Sequence, residues 1–158
     1  MDFLISKSFT GTIPTEFGRL TGFTSLQMTG NTLNGTLPTE LGRLTVIDST
    51  FRLDSMSLTG SLPSQIANMV AIGSNFRLDT NLLTGSLPSQ IGRFVALTTA
   101  FVLRDNTLSG TVPTEIGKAG FQQHIYMNSN ALTGSVPTEL GNLTLTTSQY
   151  AYFFLETN

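Results

Sequence analysis

The chain has 158 residues, of which 39% are hydrophobic and 11% charged, with a formal net charge of −2 and no cysteine. This composition predicts one folded domain and excludes disulfides and thiolate metal sites. Nucleic acids and anionic membranes are excluded as partners, because they require clustered Lys and Arg and this chain has few charges, of both signs. No apolar segment reaches the roughly 18 residues that cross a bilayer, and residues 1–10 lack the pattern of a signal peptide.

The prolines of the chain mark an internal repeat. They lie 24 or 25 residues apart, and around each of them the sequence G-[TS]-[ILV]-P-[TS]-[EQ]-[FIL]-[GA] recurs. Such regular spacing predicts a solenoid, in which each coil buries its apolar positions against the next coil. The prolines are Pro14, Pro38, Pro63, Pro88, Pro113 and Pro137.

Within each coil, apolar residues alternate with outward-facing ones. In Phe51-Arg52-Leu53 the apolar pair faces the core and the arginine faces solvent, which is the pattern of a β-strand. Stacking the coils aligns apolar residues into two columns. These are Leu33, Leu58, Leu83, Leu108 and Leu132, and Ile13, Leu37, Leu62, Leu87, Val112 and Val136.

A second motif, apolar-x-apolar-x-x-Asn-x-Leu-x-Gly, precedes the proline motif, as in residues 26–35 and 101–110. Together the two motifs resemble the plant-specific class of leucine-rich repeat found in receptor-kinase ectodomains and polygalacturonase inhibitors. The resemblance implies an α/β repeat solenoid, a right-handed superhelix with a parallel β-sheet on its concave face and short 3-10 or helical turns on its convex face. It covers residues 1–158 as a single leucine-rich-repeat domain of about six repeats.

Asparagine recurs at the bend after each strand. Its side-chain amide both donates and accepts hydrogen bonds, so it can satisfy backbone groups that the bend leaves open. Met56 takes this position in the third coil and has no amide, which predicts a weaker bend there. The column contains Asn31, Asn81, Asn106, Asn130 and Asn158, with Lys7 at the equivalent position near the start.

Opposite charges follow the prolines at a spacing of three residues, which suits short turns on the convex side. Either they form solvated internal pairs, or the cations make a functional basic stripe. The pairs are Glu16 with Arg19, Glu40 with Arg43, and Glu115 with Lys118, and the stripe would consist of Arg19, Arg43, Arg93 and Lys118.

Both ends of the chain fall within a repeat and lack the polar caps that solenoids need, including the cysteine-containing caps usual in the plant family. Two interpretations follow. Either the chain is a piece of a longer repeat array, or its uncapped ends associate with another copy, with contacts expected through Phe153, Phe154 and Leu155.

The outward residues of the strands vary where the scaffold residues do not, as a recognition surface requires. We therefore expect the concave face to bind a protein, peptide or glycan. The outward columns are Gln27, Arg52, Arg77, Val102, Tyr126 and Phe154; Thr29, Asp54, Asp79, Arg104, Asn128 and Glu156; and Ser25, Thr50, Asn75, Ala100, His124 and Tyr152. The expected ligand contacts are Gln27, Arg52, Asp54, Arg77, Asp79, Arg104, Asp105, His124, Tyr126 and Asn128.

Two features of this face have alternative explanations. Arg52 and Arg77 could hold an anion or carboxylate, or they could form a cross-strand ionic ladder with Asp54 and Asp79 that keeps the face soluble. The aromatic residues towards the end of the chain could anchor a partner, or they could belong to an irregular last coil.

Catalysis finds no support in the sequence. A nucleophile needs a base and an orienting group, and His124 is the single histidine. No Ser-His-Asp arrangement, metal cluster or phosphate loop is present, so the sequence predicts no enzymatic activity and no cofactor.

Two other functions compete with concave-face recognition. Thr and Ser flank each glycine, as in Thr84 and Ser86, and such ladders are similar to the faces of ice-binding solenoids, although Asn34 interrupts one ladder. The plant-family resemblance instead implies part of a receptor-kinase ectodomain or a cell-wall hydrolase inhibitor. It also implies an extracellular or cell-surface location, where the glycosylation triplets that begin at Asn34 and Asn142 would matter.

Overall fold

The computed structural model describes residues 4–144 and, for the backbone, 152–154. These residues form stacked coils, each with a strand of one sheet, a 3-10 turn and a strand of a second sheet. Both sheets have six strands, and every strand pairing is parallel. The repeat solenoid predicted from the sequence is confirmed.

The first sheet, here called the lateral sheet, contains the strands that carry the repeated glycine. They are β1 (Thr10–Thr12), β3 (Thr32–Thr36), β5 (Ser57–Ser61), β7 (Leu82–Ser86), β9 (Thr107–Thr111) and β11 (Ala131–Thr133). The second sheet is the concave sheet. It contains β2 (Leu26–Gln27), β4 (Thr50–Arg52), β6 (Asn75–Arg77), β8 (Ala100–Val102), β10 (His124–Tyr126) and β12 (Tyr152–Phe154).

The two sheets align their coils differently. In the concave sheet equivalent residues pair directly, as Arg52 does with Arg77. In the lateral sheet each strand pairs with a position two residues earlier than the repeat would place it, so Thr59 lies opposite Leu82 and not opposite Thr84. The lateral strands are therefore staggered from coil to coil.

A 3-10 turn follows each proline. The prolines have φ between −61 and −70°, which their rings impose, and they lack the N–H that would be unsatisfied at the start of a turn. The carbonyl of Pro14 accepts a hydrogen bond from the Phe17 N–H at 3.1 Å, and the other turns repeat this contact. The turns span Thr15–Arg19, Thr39–Arg43, Ser64–Asn68, Ser89–Arg93, Thr114–Lys118 and Thr138–Asn142. Among the residues described, no helix is long and apolar enough to cross a membrane.

The core lies between the two sheets and the turns. Its centre is a stack of aromatic rings, with centroid separations of 5.4 Å from Phe51 to Phe76, 5.6 Å from Phe76 to Phe101 and 4.8 Å from Phe101 to Phe121. Rings at these distances add to the burial of apolar surface. Both predicted apolar columns are buried except at Val136, which is 59% exposed. The predicted burial of Val136 was therefore wrong. Among the described residues, no lateral strand follows β11 to cover its side chain.

The asparagine column joins neighbouring coils. The Nδ2 of Asn106 donates to the carbonyls of Leu103 in its own coil and Leu78 in the preceding one, at 3.0 and 3.1 Å. Its Oδ1 accepts from the Leu83 N–H at 3.0 Å. Asn31, Asn81 and Asn130 make equivalent hydrogen bonds to backbone groups, while Asn158 lies outside the described residues.

The charges on the convex side do not pair as expected. Within residues 4–144, no ion pair joins Glu16 to Arg19 or the two equivalent pairs, and the carboxylate of Glu16 instead accepts from the Thr15 hydroxyl at 3.4 Å. The side chains of Arg19, Arg43, Arg93 and Lys118 are exposed, and within residues 4–144 none of them forms an ion pair. The Arg93 guanidinium donates to the Oδ1 of Asn68 in the preceding coil at 3.2 Å.

At the start of the solenoid, apolar side chains border a hollow of about 260 Å³. They include Leu4, Phe17, Leu20, Phe23 and Leu26. The contacts predicted for Phe153, Phe154 and Leu155 concern side chains outside the described residues.

Candidate ligand-binding surface

The concave sheet presents the outward columns predicted from the sequence. Residues of one column lie side by side, because Gln27 pairs with Arg52, Arg77 with Val102, and Val102 with Tyr126. The flanking column is also in register, with Ala100 between Asn75 and His124.

In the first half of this face each arginine binds an acid of its own coil. The Nε and Nη2 of Arg52 donate to the two carboxylate oxygens of Asp54 at 2.9 and 3.1 Å. The same two-bond arrangement joins Arg77 to Asp79, with both distances 3.0 Å. Both guanidinium groups are therefore occupied from within the chain, and each binds an acid of its own coil and not one of a neighbouring strand.

The acids of these pairs lie beneath the surface. Asp54 is 4% exposed and Asp79 3% exposed, so neither presents a carboxylate to a partner as a ligand contact would. Burial opposes the ionisation of Asp54, but the hydrogen bonds from Arg52 and the charges of Arg52 and Arg77 outweigh it and lower the pKa of the carboxyl below 3.8. The hydrogen bond to Asp79 outweighs burial and raises the pKa of Arg77.

The second half of the face has a different character. Arg104 has a side chain that is 45% exposed, and its Nε lies 3.8 Å from Asp79 and 3.6 Å from Asp105, beyond hydrogen-bond distance. Its guanidinium carbon lies 5.9 Å from the ring centre of Tyr126, within the range of a cation–π contact. Tyr126 lies on β10 together with His124, and the two rings stack with their centroids 5.7 Å apart. The phenol ring is thus held between an imidazole and a guanidinium.

A hollow of about 300 Å³ lies in this half of the face. Ala100 and Val102 form its floor, with Arg77 and Asn75 on one side and His124 and Tyr126 on the other. The sequence placed all six residues in the outward columns but did not single out Asn75, Ala100 or Val102. The sequence feature that indicates the hollow is the presence of small side chains in one coil between two coils with larger ones.

The other predicted contacts lie at the margins of this hollow or beyond it. Gln27 is two coils from its nearest wall, and its Nε2 donates to the Ser25 hydroxyl at 3.3 Å. Asn128 follows Tyr126 at the bend and its Nδ2 lies 3.4 Å from the Ser129 hydroxyl. Asp105 has a half-exposed carboxylate beside Arg104.

The lateral sheet presents a second surface, which is uncharged. Its strands contain no Asp, Glu, Lys or Arg, and almost all of its outward residues are exposed Thr or Ser. Because the strands are staggered, the partners differ from those of the predicted ladders: Ser61 lies opposite Thr84, and Thr84 lies opposite Thr107. Hydroxylated residues still pair across the sheet, as Thr36 does with Thr59. Gly60 has φ +73°, and a Cβ on it would lie 2.8 Å from the methyl group of Thr36. Glycine is thus required both for the backbone and to make room for that methyl group.

This geometry defines a repeat solenoid with one varied concave surface and one uniform lateral surface. Residues 123–143 match the family model described as Leucine Rich Repeat. A search of curated protein sequences finds no match.

Solved structures extend the comparison to most of the chain. The plant peptide hormone receptor RGFR1 in complex with RGF2 is 34% identical, with a TM-score of 0.84 over 92% of this chain and 23% of the receptor chain. The BIR3–SERK2 complex from Arabidopsis thaliana is 31% identical, with a TM-score of 0.70 over 85% of this chain and 69% of the matched chain. A plant ice-binding protein is 26% identical, with a TM-score of 0.75 over 84% of this chain and 42% of that protein.

The chain belongs to the plant-type leucine-rich-repeat family. It spans about a quarter of the length of the peptide hormone receptor that it resembles.

Proposed function

We propose that the chain is a non-enzymatic recognition module that binds a protein or peptide partner on its concave sheet, as part of an extracellular or cell-surface protein. The observation that carries this proposal is the hollow over β8, which is bordered by side chains held in place by the scaffold and by each other. Rigid, half-buried aromatic and guanidinium groups are the side chains on which protein interfaces concentrate their binding energy.

The comparisons support a partner of this kind. The similar receptor RGFR1 is a peptide hormone receptor in complex with RGF2, and BIR3 and SERK2 form a complex with each other. An open parallel sheet with in-register columns suits an extended segment that runs across several coils, since each coil offers one set of outward side chains.

Selection from a random peptide display library tests the proposal. Peptides enriched on the wild-type chain should bind the Tyr126→Ala variant at least tenfold more weakly and should bind Arg43→Ala, altered on the convex side, as tightly as wild type. Equal binding to all three proteins would contradict recognition by the concave sheet. Enrichment on a glycan array in place of peptides would assign the same face a different class of partner.

A second candidate function is ice binding by the lateral sheet. The observation that favours it is the uncharged, hydroxyl-rich and exposed face of the six lateral strands, and a plant ice-binding protein shares the fold. Three hydroxyls of this face are engaged within the chain. Those of Thr32, Thr107 and Thr133 donate to carbonyls of the preceding coil at 3.2, 2.9 and 3.4 Å.

Ice recrystallisation assays separate the two candidates. Ice binding by the lateral sheet predicts inhibition by the wild-type chain that is lost in the double variant Thr84→Lys with Thr111→Lys and retained in Arg104→Ala. A wild-type chain without such inhibition, or inhibition that survives the double variant, would dismiss this candidate.

A further inference from the structure

We propose that the hollow over β8 receives one uncharged side chain of the partner, aromatic or large and aliphatic, and so selects which partners bind. This inference rests on the proposed recognition by the concave sheet and adds the chemistry of the group that is recognised. Its physical basis is a change in side-chain size confined to one coil.

The hollow exists because the coil that contains β8 carries small residues where its neighbours carry large ones. In one column Val102 stands between Arg77 and Tyr126, and in the other Ala100 stands between Asn75 and His124. Neighbouring strands of a sheet are about 4.8 Å apart, so the larger side chains rise directly beside the small ones. A depression one coil wide results.

The floor and the walls of the hollow differ in polarity. Ala100 and Val102 are 8% and 3% exposed, so the floor is apolar and already shielded from bulk water by the flanking side chains. A polar group that faces this floor would lose its hydration without gaining a side-chain partner from Ala100 or Val102, whereas an apolar group would be favoured. The volume of about 300 Å³ lies at the lower limit of small-ligand pockets, which suits a single side chain.

The charges around the hollow favour an uncharged occupant. Arg77 is neutralised by Asp79, and Arg104 lies between Asp79 and Asp105 at 3.8 and 3.6 Å. Arg77 and Arg104 line the hollow and would repel an incoming ammonium group, while the acids that offset their charge, Asp79 and Asp105, reduce the attraction for a carboxylate. The guanidinium of Arg104 and the ring of Tyr126 can both contact the face or edge of an aromatic ring.

The chain itself supplies residues that would fill the hollow. Asparagine already occupies the column of Ala100 at position 75, and glutamine occupies the column of Val102 at position 27. The double variant Ala100→Asn with Val102→Gln therefore fills the space with side chains that this sheet accommodates. Val95→Gln is the matched control, because it makes the same Val-to-Gln exchange at an exposed residue that does not line the hollow.

Two measurements test the inference. In NMR titrations, N-acetyl-phenylalaninamide should shift the backbone amides of β8 and β10, while N-acetyl-alaninamide should not, and the filled variant should abolish the shifts. Peptides selected on the wild-type chain should share an aromatic or large aliphatic residue and lose at least tenfold in affinity for the filled variant but not for Val95→Gln. Thermal unfolding of each variant shows that the fold is retained.

The outcomes separate this inference from the proposed function. Selected peptides that depend on Tyr126 but bind the filled variant as tightly as wild type would overturn the inference and leave concave-face recognition intact. An N-acetyl-phenylalaninamide response that is absent from wild type, or unchanged in the filled variant, would overturn it independently of any peptide.

Discussion

The Oδ1 of Asn81 accepts a hydrogen bond from the backbone N–H of Leu58, one coil earlier, at 3.1 Å. Its Nδ2 donates to the carbonyl of Leu53, also one coil earlier, at 2.9 Å, and to that of Leu78 in its own coil at 3.0 Å. One buried amide thus satisfies backbone groups on both sides of a bend and ties two coils together. The contact supplies stability that the apolar columns alone do not, because unpaired backbone groups are costly inside a protein.

Met56 interrupts this column, and Met56→Asn should stabilise the chain by about 1 kcal/mol. Leu33 is equivalent to Leu58, and Met56 is equivalent to Asn81. By analogy the N–H of Leu33 would donate to an asparagine at position 56, whereas the thioether of Met56 is only a weak acceptor. Chemical denaturation measures the change. An unfolding free energy equal to or below that of wild type would contradict this account of the column.

The reverse substitution is the control. Asn106→Met should lower the free energy of unfolding by about 3 kcal/mol, because it removes the acceptor of the Leu83 N–H and the donor to two buried carbonyls. A loss below about 1 kcal/mol would show that relaxation or water replaces the amide.

Thr80→Gly should stabilise the chain by up to about 1 kcal/mol. Thr80 has φ +56°, a conformation that a β-branched residue rarely adopts, and its side chain is exposed. Gly30 occupies the equivalent bend of an earlier coil with φ +74°. The thermal midpoint should therefore rise, and a fall would mean that the flexibility of glycine in the unfolded chain outweighs the relief of strain.

Acid should weaken the fold through Asp54. Because its folded-state pKa lies below 3.8, its charged form stabilises the protein above that pH, and this contribution is lost as the pH falls through the folded-state pKa. The free energy of unfolding should thus fall between about pH 4 and pH 2. Asp54→Asn should flatten this part of the curve, and so should Arg52→Gln, which removes the hydrogen-bonded partner. A wild-type curve without this decline would contradict the assignment.

Arg77→Ala should destabilise the chain by about 2 kcal/mol, because it leaves the buried carboxylate of Asp79 with only Arg104, at 3.8 Å. The exposed Arg43 has no ion-pair partner among residues 4–144, so Arg43→Ala should change stability by less than about 0.5 kcal/mol. Urea denaturation of the two variants side by side measures the difference. Equal effects would imply that the Arg77 pair contributes no more than a surface charge.

Much of the fold follows from the sequence because repetition converts a local pattern into a three-dimensional one. If Phe51 and Phe76 are both inward, coil stacking places Arg52 beside Arg77, as the concave sheet shows. The stagger of the lateral sheet could not be predicted from the repeat. The repeat shows that Thr59 is equivalent to Thr84, but the packing of the strands decides which residues face each other across the sheet, and there Thr59 pairs with Leu82.

The candidate site was predictable in outline and not in depth. The sequence shows an acid two residues after Arg52, but the burial of Asp54 and its two hydrogen bonds from Arg52 are tertiary features. The expected pairing of Glu16 with Arg19 failed for a related reason, since long exposed side chains gain little from pairing in water. The small side chains of Ala100 and Val102 create the hollow, but they carry no chemical group that marks them as binding residues in the sequence.

Each coil touches only its immediate neighbours, and the small pair Ala100 and Val102 belongs to a single coil. Specificity in this architecture can therefore be relocated by duplicating or deleting a coil, which would move the recognised group along the solenoid by about 4.8 Å per coil without redesigning the scaffold. Proteins of this architecture that gain or lose coils would therefore recognise groups of the same chemistry at a different spacing along the partner.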